Sequence, residues 1–276
     1  MEKVLRVGHS PDADDAFMFY GIAHGKVPLN GFKIEHVIED IQTLNCRALK
    51  SEIEITAISA AVYPYLQDKY WILSCGASVG RKYGPLVVAP KVFSLTELSG
   101  KKIGIPGFQT TAYALLKIFL KDFVPVSMDF KEIISAIHRG EVEAGIIIHE
   151  GQLNFDSFGV KACVDLGKLW FEKYNLPIPL GLDIIRKDLG LDLAKKIKTI
   201  LLESIRYALK NEEEALIYAL KFGRGVSKEV GREFVKMYVN EDTLNLGLEG
   251  SQALEKFFEE GKRCGLFPSI PTLNIL

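Results

Sequence analysis

Short β-branched runs alternate with amphipathic stretches along the first two thirds of this chain, and that alternation limits the fold more than any other feature. The order is strand "VLRVGH", helix "DDAFMFYGIAHG", strand "FKIEHVIE", helix "IQTLNCRALKS" and strand "IEITAIS". Apolar runs of strand length that trade places with 3.6-type spacing are the mark of βαβ units, so the pattern predicts an α/β fold with a largely parallel sheet. Two further strands, "WILSCGA" and "GPLVVAP", follow Tyr63, the second apolar enough to be buried on both faces.

From residue 99 the pattern restarts, with "SGKKIGIPG" as turn and strand, "TTAYALLKIFLKDF" as helix, "SMDFKEIISAIHRGEVE" as strand end and helix, and "AGIIIHEG" as a buried strand. A second α/β unit nested inside the first accounts for the restart. The two prolines of "NLPIPLGLDIIRKDLG" then predict a stiff crossing and a strand that returns to the first unit. Beyond residue 190 four stretches have helical spacing with Gly or Asn near their ends. The expected architecture is bilobal, of the solute-binding-protein type: a discontinuous larger lobe, 1–88 and 182–276, a smaller inserted lobe, 89–181, and a ligand cleft between them.

Composition removes whole classes of function. A formal net charge of −1 leaves no basic footprint for nucleic acid. No apolar run is long enough to span a bilayer, and the start enters a strand with no apolar leader, so the expectation is a protein that is not exported and works in the cytoplasm. Cys46, Cys75, Cys163 and Cys264 lack metal-ligand spacing and read as reduced thiols. GxSxG, Walker, HExxH and GxGxxG patterns are all missing, so no metal or cofactor is expected; oligomeric state is left open.

In "GHSPDADDAFMFYG" Ser10 stands where an N-cap belongs, Pro11 at the first helical position, and Asp12, Asp14 and Asp15 in the first turn. Carboxylates there are favoured by the helix dipole and need no ligand; a metal site stays possible, without an identifiable distant partner. Ser10 is the better cleft candidate, because strand ends of open α/β sheets face the ligand crevice. "IGIPGFQTTAYALL" repeats the architecture with Thr110 and Thr111, either as ordinary caps or as donors that face Ser10 across the cleft. Two such helix starts would suit a carboxylate-bearing small molecule. His149 follows a buried strand and could accept a proton near neutral pH, although a lone histidine is more often structural. His9 is a weaker cleft candidate, and His24, His36 and His138 read as structural. Arg81 and Lys82 read as a solvated loop, with contact to an acidic substrate as the alternative.

Taken together, "SPDADDAFMFYGIAHGKV", "IEDIQTLNCRAL", "GPLVVA", "PGFQTTAYALL", "GEVEAGIIIHE", "LPIPLG" and "YVN" resemble one family in order from residue 10 to residue 240: the 1,4-dihydroxy-6-naphthoate synthases of the futalosine route to menaquinone. The resemblance implies a cofactor-independent lyase with a type II periplasmic-binding-protein-like fold, which cleaves cyclic dehypoxanthine futalosine to 1,4-dihydroxy-6-naphthoate. It implies His149 as base and Ser10, Asn45, Ser59, Thr110 and Thr111 as substrate-binding residues. Relatives often read "SPCPNDT" where this chain has "SPDADDA", so Asp14 stands where the family has asparagine, a further substrate-binding residue by position whose role is left open. The rival expectations are the chorismate dehydratase of the same pathway and a non-catalytic binding protein for a small carboxylate.

Overall fold

A computed structural model describes residues 3–222 and 226–276. Its chain forms two mixed sheets. The larger has the order β2 (Phe32–Ile38), β1 (Lys3–His9), β3 (Ile55–Ser59), β11 (Ile178–Arg186), β4 (Tyr70–Ile72), with β5 (Ser78–Gly80) also on β11. The smaller has the order β10 (Lys161–Asp165), β6 (Leu86–Ala89), β9 (Ala144–Ile147), β7 (Lys102–Ile105), β8 (Val124–Ser127). The chain enters the smaller sheet at β6 and rejoins the larger at β11.

The expected parallel pairing holds for β1 with β2 and β3, and for β7 with β8 and β9. It fails where the chain changes sheets: β11 runs antiparallel to β3, β4 and β5, and β6 antiparallel to β9 and β10. A strand that arrives from the other sheet has no crossover helix to set its direction, so nothing forces it parallel. β3, "ITAIS", is buried at every residue because it lies between β1 and β11 with both faces covered.

Helices cover these sheets. On the larger sheet lie α1 (Ala13–Met18), α2 (Tyr20–Ala23) and α3 (Ile41–Leu49); α4 (Thr111–Phe119), α5 (Ile133–His138) and α6 (Leu166–Tyr174) accompany the smaller. The C-terminal third adds α7 (Leu191–Lys210), α8 (Glu212–Ala219), α9 (Lys228–Tyr238), α10 (Glu241–Leu244) and α11 (Gly247–Arg263). The expected Gly223 at the end of the α8 stretch lies outside the described residues, as do Met1 and Glu2. "DDAFMFYGIAHG", expected as one helix, is broken at Phe19. Ser204 of α7 fills the break: its Oγ donates to Met18 O at 2.7 Å and accepts from Ile22 N at 3.2 Å.

One apolar core joins the sheets through Ile58, Tyr63, Ile103, Leu115, Trp170 and Phe257, and a second packs α1, α7 and α9 on β1. Between the sheets Gly84 and Gly167 lie so close that a Cβ on Gly84 would stand 2.9 Å from Gly167 Cα. Among the described residues no helix is long and apolar enough to cross a membrane. The four cysteines are free thiols.

Candidate active site

Strand ends from both sheets converge on a cleft of about 720 Å³, its solvent mouth included. Ser10 follows β1 and Ser59 ends β3, while β11 supplies Leu180, Gly181 and Leu182 to the floor. Thr110, Thr111 and Ala112 at the start of α4 face them, with Ile148 and Gln152 beside β9 and Phe234 and Tyr238 from α9. Among the described residues that line it there is no lysine or arginine. Arg81 is engaged elsewhere, in a two-pronged pair with Asp242 at 2.7 and 2.8 Å and in another with Glu249, and Lys82 lies over the Phe171 ring. Arg81 and Lys82 are exposed in a bend, as the solvated-loop expectation has it, with Arg81 held in an ion-pair cluster.

The wall after β1 is acidic. Asp12, Asp14 and Asp15 all line the cleft; Asp14 and Asp15 are the first-turn charges expected, and they are buried. The N-cap is Asp12 and not Ser10, because Ser10 Oγ accepts Asp12 N–H at 3.1 Å in a turn ahead of the helix. Ser10 N donates to Asp15 Oδ2 at 2.8 Å, so the N–H of this turn is taken by the chain's own carboxylate. Burial pushes Asp15 up to about 6 against that hydrogen bond, and burial together with Asp15 and Asp12 holds Asp14 well above the usual carboxylate range. Behind them Asp183 is buried, raised by the same desolvation, and among the described residues its Oδ2 has no hydrogen-bond partner. It lies against Gly76, where a Cβ would stand 2.0 Å from Oδ2 and where φ is +88°, a place only glycine fills without strain.

The opposite wall donates. Thr110 caps α4, its Oγ1 accepting from Tyr113 N at 3.2 Å and donating to Gly107 O at 2.8 Å. Thr111 Oγ1 donates to Leu180 O at 2.7 Å and accepts from Ala61 N at 3.2 Å, tying α4 to the larger sheet. With both hydroxyls engaged, the donors left for a ligand are the N–H groups of Thr111 and Ala112, which the first turn of a helix leaves without internal acceptors. Ser59 is set by Asn45: Asn45 Nδ2 donates to Ser59 Oγ at 3.0 Å and Asn45 Oδ1 accepts from Ser59 N at 2.8 Å. Asn45 is fully buried and does not line the cleft; Ser59 lines it with its own hydroxyl proton free to be donated.

His149 sits between the lining residues Ile148 and Gln152 but does not itself line the cleft. Its ring centroid is 5.6 Å from that of Phe130, and Nδ1 accepts from Gly151 N at 3.0 Å. A ring nitrogen that accepts is unprotonated, so neutral His149 carries its proton on Nε2. His9 is fully buried and stacked on Phe19, with Nε2 3.1 Å from His36 Nδ1; burial lowers it to about 4. It is structural. Among the described residues no three His, Cys, Asp or Glu side chains gather in a form fit for a metal ion.

A family model described as menaquinone biosynthesis matches residues 5–263. The chain belongs to this family. Two curated members of known name are similar over nearly all of both chains: the 1,4-dihydroxy-6-naphthoate synthase of Thermus thermophilus, 39% identical with 98% of each chain covered, and that of Streptomyces coelicolor, 32% identical with 96% and 95% covered. A crystal structure of a protein from Archaeoglobus fulgidus is 48% identical, with a TM-score of 0.92 over 96% of this chain and 98% of that one. At 13% identity the alkanesulfonate-binding protein of Xanthomonas axonopodis still superposes with a TM-score of 0.76 over 99% and 98%. A Candida albicans protein described as having the generic periplasmic binding protein fold does so at 0.74 with 15% identity, over 99% and 96%. This member of the menaquinone-biosynthesis family therefore has the expected bilobal periplasmic-binding-protein-like fold, and its named relatives are enzymes.

Reading the sequence missed Gln152 and Tyr238, which meet across the cleft with Tyr238 Oη donating to Gln152 Oε1 at 3.3 Å. Tyr238 lies on the inward stripe of α9 with Phe234, four residues apart, and looks like core. It also missed the bridge between Gln42 of α3 and Gln109 before α4. Gln42 Nε2 donates to Gln109 Oε1, and Gln109 N donates to Gln42 Oε1 at 3.2 Å.

Proposed function

We propose that this chain is a 1,4-dihydroxy-6-naphthoate synthase, a carbon–carbon lyase that converts cyclic dehypoxanthine futalosine to 1,4-dihydroxy-6-naphthoate in the cytoplasm without a cofactor. Family membership across residues 5–263 carries the reading. The cleft supports it: one wall offers N–H donors to a carboxylate, while the other is acidic and suits neutral oxygens. The lobe bounds expected at 88/89 and 181/182 fall inside β6 and β11, so in this reading the division lies just ahead of each of those strands, and closure of the lobes excludes water from the substrate.

In this reading the substrate carboxylate sits at the Thr111 and Ala112 N–H groups. The Ser59 hydroxyl, fixed by Asn45, and Ser10 take up oxygens of the ring system. His149 is the base: Nδ1 exchanges the Gly151 N–H for a substrate proton, which requires the loop between Ile148 and Gln152 to turn the ring into the cleft. Loss of that proton starts a retro-aldol-like cleavage, driven by aromatisation of the new ring, with the oxyanion met by the hydroxyl and N–H donors.

Incubation with cyclic dehypoxanthine futalosine and, separately, with chorismate decides the reading. The naphthoate product is expected from the first alone. Dehydration of chorismate would transfer the chain to the other reaction of the pathway, and tight binding of a small carboxylate without turnover would make it a binding protein. His149→Ala is expected to lower kcat by about 10²–10⁴ with the fold intact by circular dichroism; wild-type turnover would remove His149 from the base role.

A further inference from the structure

We propose that Asp14 meets the substrate as a neutral carboxylic acid, donating a hydrogen bond from Oδ1 to an uncharged substrate oxygen. The role rests on the reading of the cleft as the synthase site, and the geometry around the side chain carries it.

Asp14 and Asp15 are neighbours in one buried wall, 7% and 8% exposed, and among the described residues no lysine or arginine forms an ion pair with either or with Asp183. Two adjoining carboxylates without a cation do not both ionise in such a place; the proton goes to the one with the poorer set of donors. Asp15 receives a backbone N–H from Ser10 at 2.8 Å, a donor that cannot turn away. Asp14 receives the Ser78 hydroxyl on Oδ2 at 3.2 Å, and the Asp15 N–H also favours its charged form, but less than burial and the Asp15 and Asp12 carboxylates oppose it. Asp15 is therefore the site that holds charge and Asp14 the site that holds the proton. With Oδ2 engaged by Ser78, that proton sits on Oδ1.

Apart from the Asp15 N–H and the Ser78 hydroxyl, the groups packed against Asp14 favour its neutral form. Its own turn and helix present Asp12 and Asp15, the loop after β9 presents Glu150, and α9 presents the phenol of Tyr238, while Asp183, itself raised by burial and by Asp15, stands behind Asp15. All are neutral or negative, and with burial they keep Asp14 protonated well above the range of an ordinary carboxyl. A negative group of the ligand is repelled from this wall and drawn to the N–H groups at the start of α4. Asp14 thus fixes which end of the molecule goes where: the acid selects a carbonyl or hydroxyl oxygen, and the carboxylate goes opposite.

The test compares wild type, Asp14→Asn and Asp14→Ala in kcat/KM across pH with cyclic dehypoxanthine futalosine, alongside infrared spectra of the protonated-carboxyl band. An amide donates at every pH, so Asp14→Asn is expected to stay within about fivefold of wild type near neutrality and to lose an alkaline limb that wild type shows. Asp14→Ala is expected to lose about 100-fold, the size of effect seen when an oxyanion donor is removed. In the infrared, Asp14→Asn is expected to lose one protonated-carboxyl band at pH 7. An unchanged alkaline limb in Asp14→Asn, wild-type activity in Asp14→Ala, or an unaltered carboxyl band overturns the proposal. The band is read without turnover, so an enzyme that proves inactive on this substrate would defeat the functional reading and still leave the protonation of Asp14 decided.

Discussion

A hydroxyl that accepts one N–H keeps its own proton to give, and this distinguishes Ser59 from the threonines opposite. Asn45 loads the Ser59 acceptor side, whereas Thr110 and Thr111 spend both capacities within the protein. The polar residues at strand ends were legible because an apolar strand that stops at Ser or His marks the crevice. Which atoms remain available was not legible, since that depends on Leu180 and Ala61, 69 and 50 residues from Thr111. At the same scale Asp183 makes a stability prediction. Its folded pKa lies above the unfolded value, so the folded chain holds the extra proton and the contribution falls as pH rises from about 4. Asp183→Asn keeps the shape without that dependence. Thermal scans at pH 5 and pH 8 are expected to show the variant losing less Tm across the interval than wild type; parallel losses would mean that Asp183 is not held protonated.

Helix periodicity announced α7 well, with Ile197, Leu201, Ile205 and Ala208 at spacings of four and three on its buried face. Ser204 on that same face breaks the apolar rule, and its reason lies elsewhere in the chain. It replaces the helical hydrogen bond that the break at Phe19 removes, a need that no window around residue 204 reveals. Ser204→Ala would leave Ile22 N–H and Met18 C=O without this partner in a buried place, at a cost of about 1–3 kcal/mol. A Tm several degrees lower than wild type is the expected calorimetric result. An unchanged Tm would show that the two helices repair the break themselves. The same limitation explains the misplaced N-cap: the turn at Ser10 competes with the cap, and both read alike in "HSPD".

Across the whole molecule, side-chain hydrogen bonds hold the two walls of the cleft together, that of Tyr238 to Gln152 among them. Thr111 ties α4 to β11, and Gln42 clasps Gln109, lying over Gly107 where a Cβ would stand 2.0 Å from Gln42 Oε1. Removing the clasp lowers the share of molecules that are closed, and the apparent affinity falls by that share. Gln42→Ala is expected to raise KM by about tenfold with kcat within about twofold, and to enlarge the radius of gyration in solution scattering. A fall in kcat alone would place Gln42 in the chemistry. The nested two-sheet plan was legible because the alternation of patterns restarts and then ends in a return strand. The strand directions were not, because direction is settled by which neighbour β6 and β11 find.

That return strand carries a further cost. Ser59 of β3 pairs with Gly181 of β11, so the centre of the larger sheet is joined by residues that leave the ribosome some 120 positions apart. Meanwhile β6 to β10 are all made and able to pair with one another. A nascent chain at that stage presents the apolar edge of β3 with nothing beside it, the most adhesive surface a half-made sheet can offer. Slower synthesis through residues 90–178 is therefore expected to lower the share of chains that reach the native form, and a holdase chaperone to restore it.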